Sequence, residues 1–280
     1  MRGTAIAWRR EIADLLLEYA EAGALGFTEV IAENTDPTRI DSRLAQLASH
    51  VPVIPHGVTL GLAGADQPSP TRLTRLAELA LRFDSPVVSE HVAYVRAADT
   101  PDSLHPDVLE AGHLLPPPRT AESLAVLVEN VRIAQSQLPV PLAVENIAAL
   151  FVWPEDTFTE ADFLTELVSQ TGVRLVLDVA NLFSSATARG SSAAADLRRF
   201  PLEAVEYVHI AGGEFKDGLY VDTHGHDLVE PVVDLLTELV SLYSGEVPGV
   251  MLERDTDVTV EGVRSEYDRL VAAVPTSRSS

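Results

Sequence analysis

Eight times along the chain a short run of β-branched and aliphatic residues gives way to a stretch with leucines at helical spacing. The runs are Ala5–Trp8, Thr28–Ala32, Val51–Ile54, Pro86–Ser89, Pro141–Val144, Val173–Leu177, Val205–Gly213 and Gly249–Leu252. The helical stretches are Glu11–Ala22, Arg39–Ser49, Pro70–Phe83, Ala121–Gln137, Glu160–Gln170, Ala193–Phe200, Pro231–Tyr243 and Val260–Val274. Runs that are apolar throughout read as strands buried on both faces. Their alternation with helices means a parallel sheet with helical crossovers. Eight such units in 280 residues predict a single (β/α)8 TIM barrel, which typically takes about 250. A doubly wound open sheet is the alternative, but no glycine-rich phosphate fingerprint follows the first run. The barrel is expected over residues 1–275, with 276–280 a frayed polar tail. Between Arg96 and Pro118 lies a long polar stretch rich in proline, too irregular to predict as a regular element.

The runs also end alike. The stretch Val-Glu-Tyr-Val-His-Ile-Ala-Gly-Gly delivers His209, and a loop after it carries Asp222-Thr223-His224. The others deliver His56, Glu90-His91, Glu145-Asn146, Asp178 with Asn181 close behind, and Glu253. In a barrel these positions share the carboxyl-terminal face, where active sites are built. Singly, an acid there reads as a helix cap and a histidine as a satisfied structural residue. Together, four histidines and at least four carboxylates at one mouth cannot all keep their charge without a compensating cation. Imidazole and carboxylate without sulfur suit zinc, manganese or iron, and eight ligands are too many for one ion. Two or three metals with bridging carboxylates are the simplest solution. Asn146 and Asn181 either orient ligands, bind substrate or complete a coordination sphere, or else serve as turn and cap residues. His50 and His226 read as helix-end and solvated-loop residues, and His105 and His113 as surface residues of the insertion.

Composition narrows the chemistry. The chain has no cysteine, which excludes disulfides, thiolate metal sites, iron–sulfur clusters and cysteine nucleophiles. Forty-two acids against 20 bases give a net charge of −22, a poor match to nucleic acid or anionic lipid. Only one of those bases, Lys216, is a lysine. No apolar run approaches the roughly 20 residues of a membrane span. The amino terminus does not read as a signal peptide either, so a cytoplasmic protein is expected.

At this point the motifs become recognisable in sequence. His56-Gly57-Val58, Ser89-Glu90-His91, Val144-Glu145-Asn146, Leu177-Asp178-Val179-Ala180-Asn181, His209-Ile210-Ala211-Gly212, Asp222-Thr223-His224 and Leu252-Glu253-Arg254-Asp255 occur in this order. The pattern resembles the DUF692 family, the multinuclear non-heme iron-dependent oxidases; Gly3–Arg9 and Glu33-Asn34 look like its early motifs. The resemblance implies a xylose-isomerase-like barrel holding two or three irons (Fe2+/Fe3+), with dioxygen as co-substrate. It implies a substrate that is a ribosomally made precursor peptide, modified at a cysteine or another residue, and a separate partner protein that presents the peptide's leader. Carried over position by position, the metal ligands are His56, His91, Glu145, Asp178, His209, Asp222, His224 and Glu253. Glu90, Asn146, Asn181 and Arg189 stand as substrate or supporting residues, with no catalytic group assigned beyond the ligands. Two departures stand out. Some members have Asp where this chain has Glu90, and many have Asn-His where it reads Ala188-Arg189 before Gly190. If that histidine serves a metal, a reduced cluster or a displaced third ion is expected, with Arg189 meeting an acid or an anionic group at the mouth.

Two other classes fit the same barrel. A divalent-metal sugar isomerase would want a lysine near the metals, and Lys216 is the single candidate. A zinc phosphodiesterase of the endonuclease type would want a basic groove, against the charge of −22. A degenerate, non-catalytic barrel rests on Arg189 alone.

Overall fold

A computed structural model of the chain describes residues 1–97 and 109–274. Twelve strands are present among the described residues, and eight of them form one parallel sheet. These are β1 (Thr4–Ile6), β2 (Thr28–Ile31), β3 (Val53–His56), β4 (Val88–His91), β7 (Leu142–Glu145), β8 (Arg174–Asp178), β9 (Val205–Ala211) and β12 (Gly249–Glu253). The sheet order is β1-β12-β9-β8-β7-β4-β3-β2. The two ends meet where the Trp8 amide donates to the Glu29 carbonyl at 2.8 Å and the Thr28 hydroxyl donates to the Ile6 carbonyl at 2.7 Å. The result is the expected (β/α)8 barrel.

The helices are α1 (Ala13–Glu21), α2 (Ser42–Leu47), α3 (Pro70–Phe83), α4 (Ala121–Gln137), α5 (Glu160–Thr171), α6 (Val179–Arg189), α7 (Ala193–Leu197), α8 (Glu230–Leu242) and α9 (Val260–Ala273). Their starts follow local chemistry. Thr120, Thr159 and Thr259 each accept a backbone N–H three residues on, and Pro70 opens α3, where its missing N–H costs nothing. No helix among the described residues is long and apolar enough to cross a membrane.

Period-two alternation divides the core into two shells. Val88, Val144, Leu177, Val208, Ile210 and Leu252 face outward and pack with the helices in one continuous cluster. Ala5, Ala7, Phe27, Ile54, Val87, Ala143, Val176, Tyr207 and Met251 face inward and form an apolar floor. Burying a large floor side chain contributes roughly 1.5–3 kcal/mol.

Three sequence expectations are corrected. The stretch Arg96–Pro118 is mostly regular where it is described: β5 (Tyr94–Ala97) and β6 (Leu109–Leu115) pair antiparallel, and residues 116–118 carry no regular element. The intervening residues, with His105, lie outside the described residues, as does the tail 276–280. The loop expected between His209 and His224 contains a second hairpin, β10 (Gly213–Lys216) with β11 (Leu219–Asp222). Its turn, Asp217-Gly218, has positive φ at both residues (51° and 84°), as a two-residue hairpin turn requires. Finally, α6 follows β8 without any linker, where no helix was expected.

Candidate metal centre

The floor fixes what stands above it. Two residues beyond Ile54, Ala143, Val176, Tyr207 and Met251 come His56, Glu145, Asp178, His209 and Glu253, on the same inward face of their strands. His91 stands likewise two beyond Ser89 on β4. Asp222 arrives at the end of β11, and His224 follows with its backbone in the left-handed region, φ 50°. Gly212 lets that loop close down on β9, since a Cβ there would lie 1.8 Å from the His226 carbonyl oxygen. All eight residues proposed from sequence as ligands are thereby brought to one mouth.

They form three groups that share members: His56, His91 and Glu145; Glu145, Asp178, His209 and Glu253; Asp178, Asp222 and His224. Within each group one donor atom per residue lies within 4.8 Å of every other. Donors about 2.1 Å from a common ion lie about 3.0–3.5 Å from each other. Here His56 Nε2 and His91 Nε2 are 3.3 Å apart, and each is 3.6 Å from Glu145 Oε2. His209 Nδ1 lies 3.3 Å from the same Glu145 oxygen and 3.4 Å from Glu253 Oε2. His224 Nε2 is 2.7 Å from Asp222 Oδ2. Glu145 and Asp178 each belong to two groups, as bridging carboxylates would.

The chemistry of these atoms fits metal. Among the described residues, the buried side-chain atoms without a hydrogen-bond partner include Glu145 Oε2, Asp178 Oδ2, His209 Nδ1 and Asp222 Oδ1, all four in this cluster. An orphaned buried acceptor costs about 1–3 kcal/mol, more if charged, so four together need a common partner. Ionisation follows from the crowding. Burial disfavours the charged form of His91, but Glu145 and Glu90 outweigh it and raise the ring to about 9. Burial is likewise outweighed at His209 by Glu253, Glu145 and Glu29, and at His224 by Asp222 and Asp255; both rings are held well above the usual histidine value. Asp178 is pushed well above the carboxylate range by burial and by the neighbouring Asp222 and Glu145. Glu145, facing three imidazoles, is held below it despite its burial.

The supporting residues divide. Glu90 Oε2 accepts the Leu60 amide at 2.9 Å while its other oxygen sits 3.5 Å from His91 Nδ1, so it ties the loop after β3 to that histidine. Asn146 accepts the Asp178 amide at 2.9 Å and donates to the Asp178 carbonyl at 3.0 Å, binding the ends of β7 and β8 together. Asn181 donates from its backbone to Asp178 Oδ1 at 2.7 Å and from its side chain to the Asn146 carbonyl at 3.1 Å. Both asparagines thus hold Asp178 in place, with Oδ1 capping α6 and Oδ2 left for the cluster. Arg189 is not at the mouth. It ends α6, eleven residues or about 16 Å of helix from its start, and donates to Asp196 at 2.9 Å. It lines a separate cavity of about 380 Å³ with Arg119 and Glu160. The three groups assemble without it. Lys216 is exposed, next to the turn of the β10–β11 hairpin, and does not reach the ligands.

Sequence reasoning missed Glu29, Ser89, Tyr207 and Asp255. Glu29 is a buried acid at an inward position of an apolar strand, which was itself a signal. Asp255 Oδ2 lies 3.3 Å from His224 Nδ1 and its other oxygen pairs with Arg9.

Above the cluster opens a cleft of about 570 Å³. His91, Glu145, Asp222 and His224 form its base, Ile147, Ala148 and Leu150 one wall, and His113 and Leu114 of β6 another. Leu150, which lines the cleft, is an exposed apolar residue, 41% accessible, and Phe151 and Val152, which follow it in the chain, are 45% and 51% accessible.

Comparison with known proteins agrees with this architecture. Residues 3–274 match the family model described as RiPP precursor modification enzyme MbnB/TglH/ChrH, where RiPP denotes a ribosomally synthesised and post-translationally modified peptide. A UPF0276 protein of Streptomyces avermitilis is 48% identical over 273 residues, 97% of this chain and 54% of that protein. The chain therefore spans about half the length of that relative. A UPF0276 protein of Caulobacter vibrioides is 31% identical over 243 residues, 85% of this chain and 82% of the relative. Among solved structures, a putative xylose isomerase from Rhodospirillum rubrum superposes with a TM-score of 0.58 at 15% identity, covering 98% of this chain and 100% of that one. Endonuclease IV from Thermus thermophilus gives 0.58 at 17% identity, with 97% and 98% covered. At such identities the structural likeness speaks for the barrel alone. The sequence matches say more: from its third residue to the end of its last helix, this chain belongs to the MbnB/TglH/ChrH family (DUF692, UPF0276) of enzymes that modify ribosomal peptide precursors.

Proposed function

We propose that the chain is a multinuclear non-heme iron-dependent oxidase that uses dioxygen to modify a cysteine of a ribosomally made precursor peptide. The observation that carries the reading is the set of three adjoining donor groups sharing Glu145 and Asp178, with their buried atoms left unpaired by the protein. His56, His91 and Glu145 would hold one ion, Glu145, Asp178, His209 and Glu253 a second, and Asp178, Asp222 and His224 a third. Iron bound there would supply the one-electron and dioxygen chemistry that a chain without cysteine or an organic cofactor motif lacks. The protein's own contribution is positional. The apolar floor excludes water from below, Glu90, Asn146 and Asn181 fix the ligands, and the apolar wall of Ile147, Ala148 and Leu150 receives the peptide next to them. A separate protein that presents the leader, and a cytoplasmic setting, belong to the same proposal.

Anaerobic purification with iron, followed by metal analysis, Mössbauer and EPR spectroscopy and oxygen uptake with a cysteine-bearing precursor, tests it. The expected result is two to three irons per chain and a mass change in the peptide that requires oxygen. A protein that takes up no iron after reconstitution would end the reading. The isomerase alternative loses support from the exposed position of Lys216.

A further inference from the structure

Glu29 lies under the ligand cluster, 3% exposed, on a strand whose other side chains are uncharged. Among the described residues its ion pairs are with two histidines only, His209 Nε2 at 3.3 Å and His56 Nδ1 at 3.7 Å. The Tyr207 hydroxyl donates to Glu29 Oε2 at 2.5 Å, and the Ser89 hydroxyl approaches the same oxygen at 3.4 Å. Ser89 Oγ is also 2.8 Å from His56 Nδ1, so it stands between that ring and the carboxylate. Both histidines turn their opposite nitrogens, His56 Nε2 and His209 Nδ1, toward Glu145.

From this geometry we infer that Glu29 is a positioning residue, which holds the far nitrogens of His56 and His209 so that their near nitrogens stay bare toward the metals. The inference rests on the metal-holding reading above. Its logic is the hydrogen-bond inventory. An ionised carboxylate only accepts, so the ring nitrogen facing it must carry the hydrogen, and a neutral imidazole has only one. For His209 that places the hydrogen on Nε2 and the lone pair on Nδ1. For His56 the hydrogen on Nδ1 reaches Glu29 through the Ser89 hydroxyl, which accepts from the ring and donates to the acid. The lone pair is then on Nε2. One carboxylate thereby sets the tautomer of a ligand in each of two groups, and Tyr207 adds a single hydrogen bond to it. A metal-bound histidine whose second nitrogen faces an acid is also a stronger donor. The third group, Asp178, Asp222 and His224, has no contact with Glu29 and serves as an internal control.

The test uses zinc, which is diamagnetic and redox-inert, on the whole chain. Chelator competition with Glu29→Gln should show the ions of the first two groups weakened about 10–100-fold, the range for loss of an outer partner, with the third unchanged. Tyr207→Phe removes one hydrogen bond to the same acid and keeps the aromatic ring that packs 5.2 Å from the His209 ring; it should lower stability and leave zinc affinity within about threefold. In 15N-histidine NMR of the zinc-loaded wild type, His56 should carry its hydrogen on Nδ1 and His209 on Nε2. The opposite tautomers would overturn the assignment even if Glu29→Gln does not fold. So would equal zinc affinity in Glu29→Gln and wild type, or an equal loss in Tyr207→Phe. A wild type that binds neither zinc nor iron would instead remove the functional reading itself.

Discussion

Replacing Glu145 by Gln keeps the size of the side chain, removes its charge and turns one oxygen into a donor. The position is a severe one, because a single oxygen, Oε2, faces His56 and His91 at 3.6 Å and His209 at 3.3 Å. Two of the three donor groups lose a member at once. Loss of an outer partner alone weakens metal binding about 10–100-fold, so loss of a shared ligand should cost at least about 100-fold. At a free metal concentration of about 100 times the dissociation constant, one bound ion stabilises the native protein by about 2.7 kcal/mol. For a chain of 280 residues, with an unfolding entropy of about 2.1 cal/mol/K per residue, that corresponds to a rise in melting temperature of about 5 °C. In the variant the same metal concentration would only match the weakened constant, leaving about 0.4 kcal/mol, or about 1 °C. Scanning calorimetry of each protein with chelator and with buffered Mn²⁺ measures the shift. Because the difference is taken within each protein, any change in metal-free stability cancels. A metal-dependent rise in Glu145→Gln equal to that of the wild type would refute the assignment of Glu145 as a shared ligand.

Other outcomes follow from the same coordinates. His91 has its value raised from 6.5 to about 9, so its contribution to metal-free stability, at most about 3 kcal/mol, is complete below pH 6.5 and lost as pH climbs through 9. Metal binding must displace that proton, so affinity should rise toward pH 9; chelator-buffered titrations that find it independent of pH would contradict this. Arg254 donates to Glu266 Oε2 at 2.8 Å, and Glu266 is only 3% exposed. Arg254→Met should therefore cost about 3–5 kcal/mol in urea unfolding with metal content unchanged, and a loss below 1 kcal/mol would argue against it. Gly218 has φ 84° in the β10–β11 turn, so Gly218→Ala should cost about 1–2 kcal/mol. Its effect on metal content should be confined to the ion nearest Asp222, which β11 carries, as site-resolved occupancy would reveal.

Much of the barrel was legible because parallel strands buried on both faces leave continuous apolar runs, and all eight runs fall on barrel strands. The residues brought to the mouth were legible for a related reason, since polar residues at the ends of apolar runs stand out. Glu29 carries the same signal one layer lower, but it lies inside its run, where no run-end marks it. The helix α6 was hidden by burial. Val179, Ala180, Asn181, Leu182, Ser184, Ser185 and Ala186 are all buried, so no polar face gives the helical period, and the cap that starts it is the strand's own last residue, Asp178. The β10–β11 turn carries an Asp-Gly pair, but its flanking strands are four residues each and mostly unburied, so they leave no apolar run like those of the barrel. Arg189 was expected at the mouth because it stands where many members of the family carry a histidine. Once α6 is a helix, its last residue is carried away from the rim.

The carboxyl of Asp178 has one oxygen anchoring the first turn of α6 and the other turned to the cluster. Along that helix, Ser184 grips the Tyr220 carbonyl at 2.6 Å and Ser185 receives the Ala149 amide at 2.8 Å, so the rod fastens both sides of the cleft. On the proposed function, loading the cations and shaping the doorway for the peptide are in this way joined through one helix, and an emptied centre would leave the entrance slack.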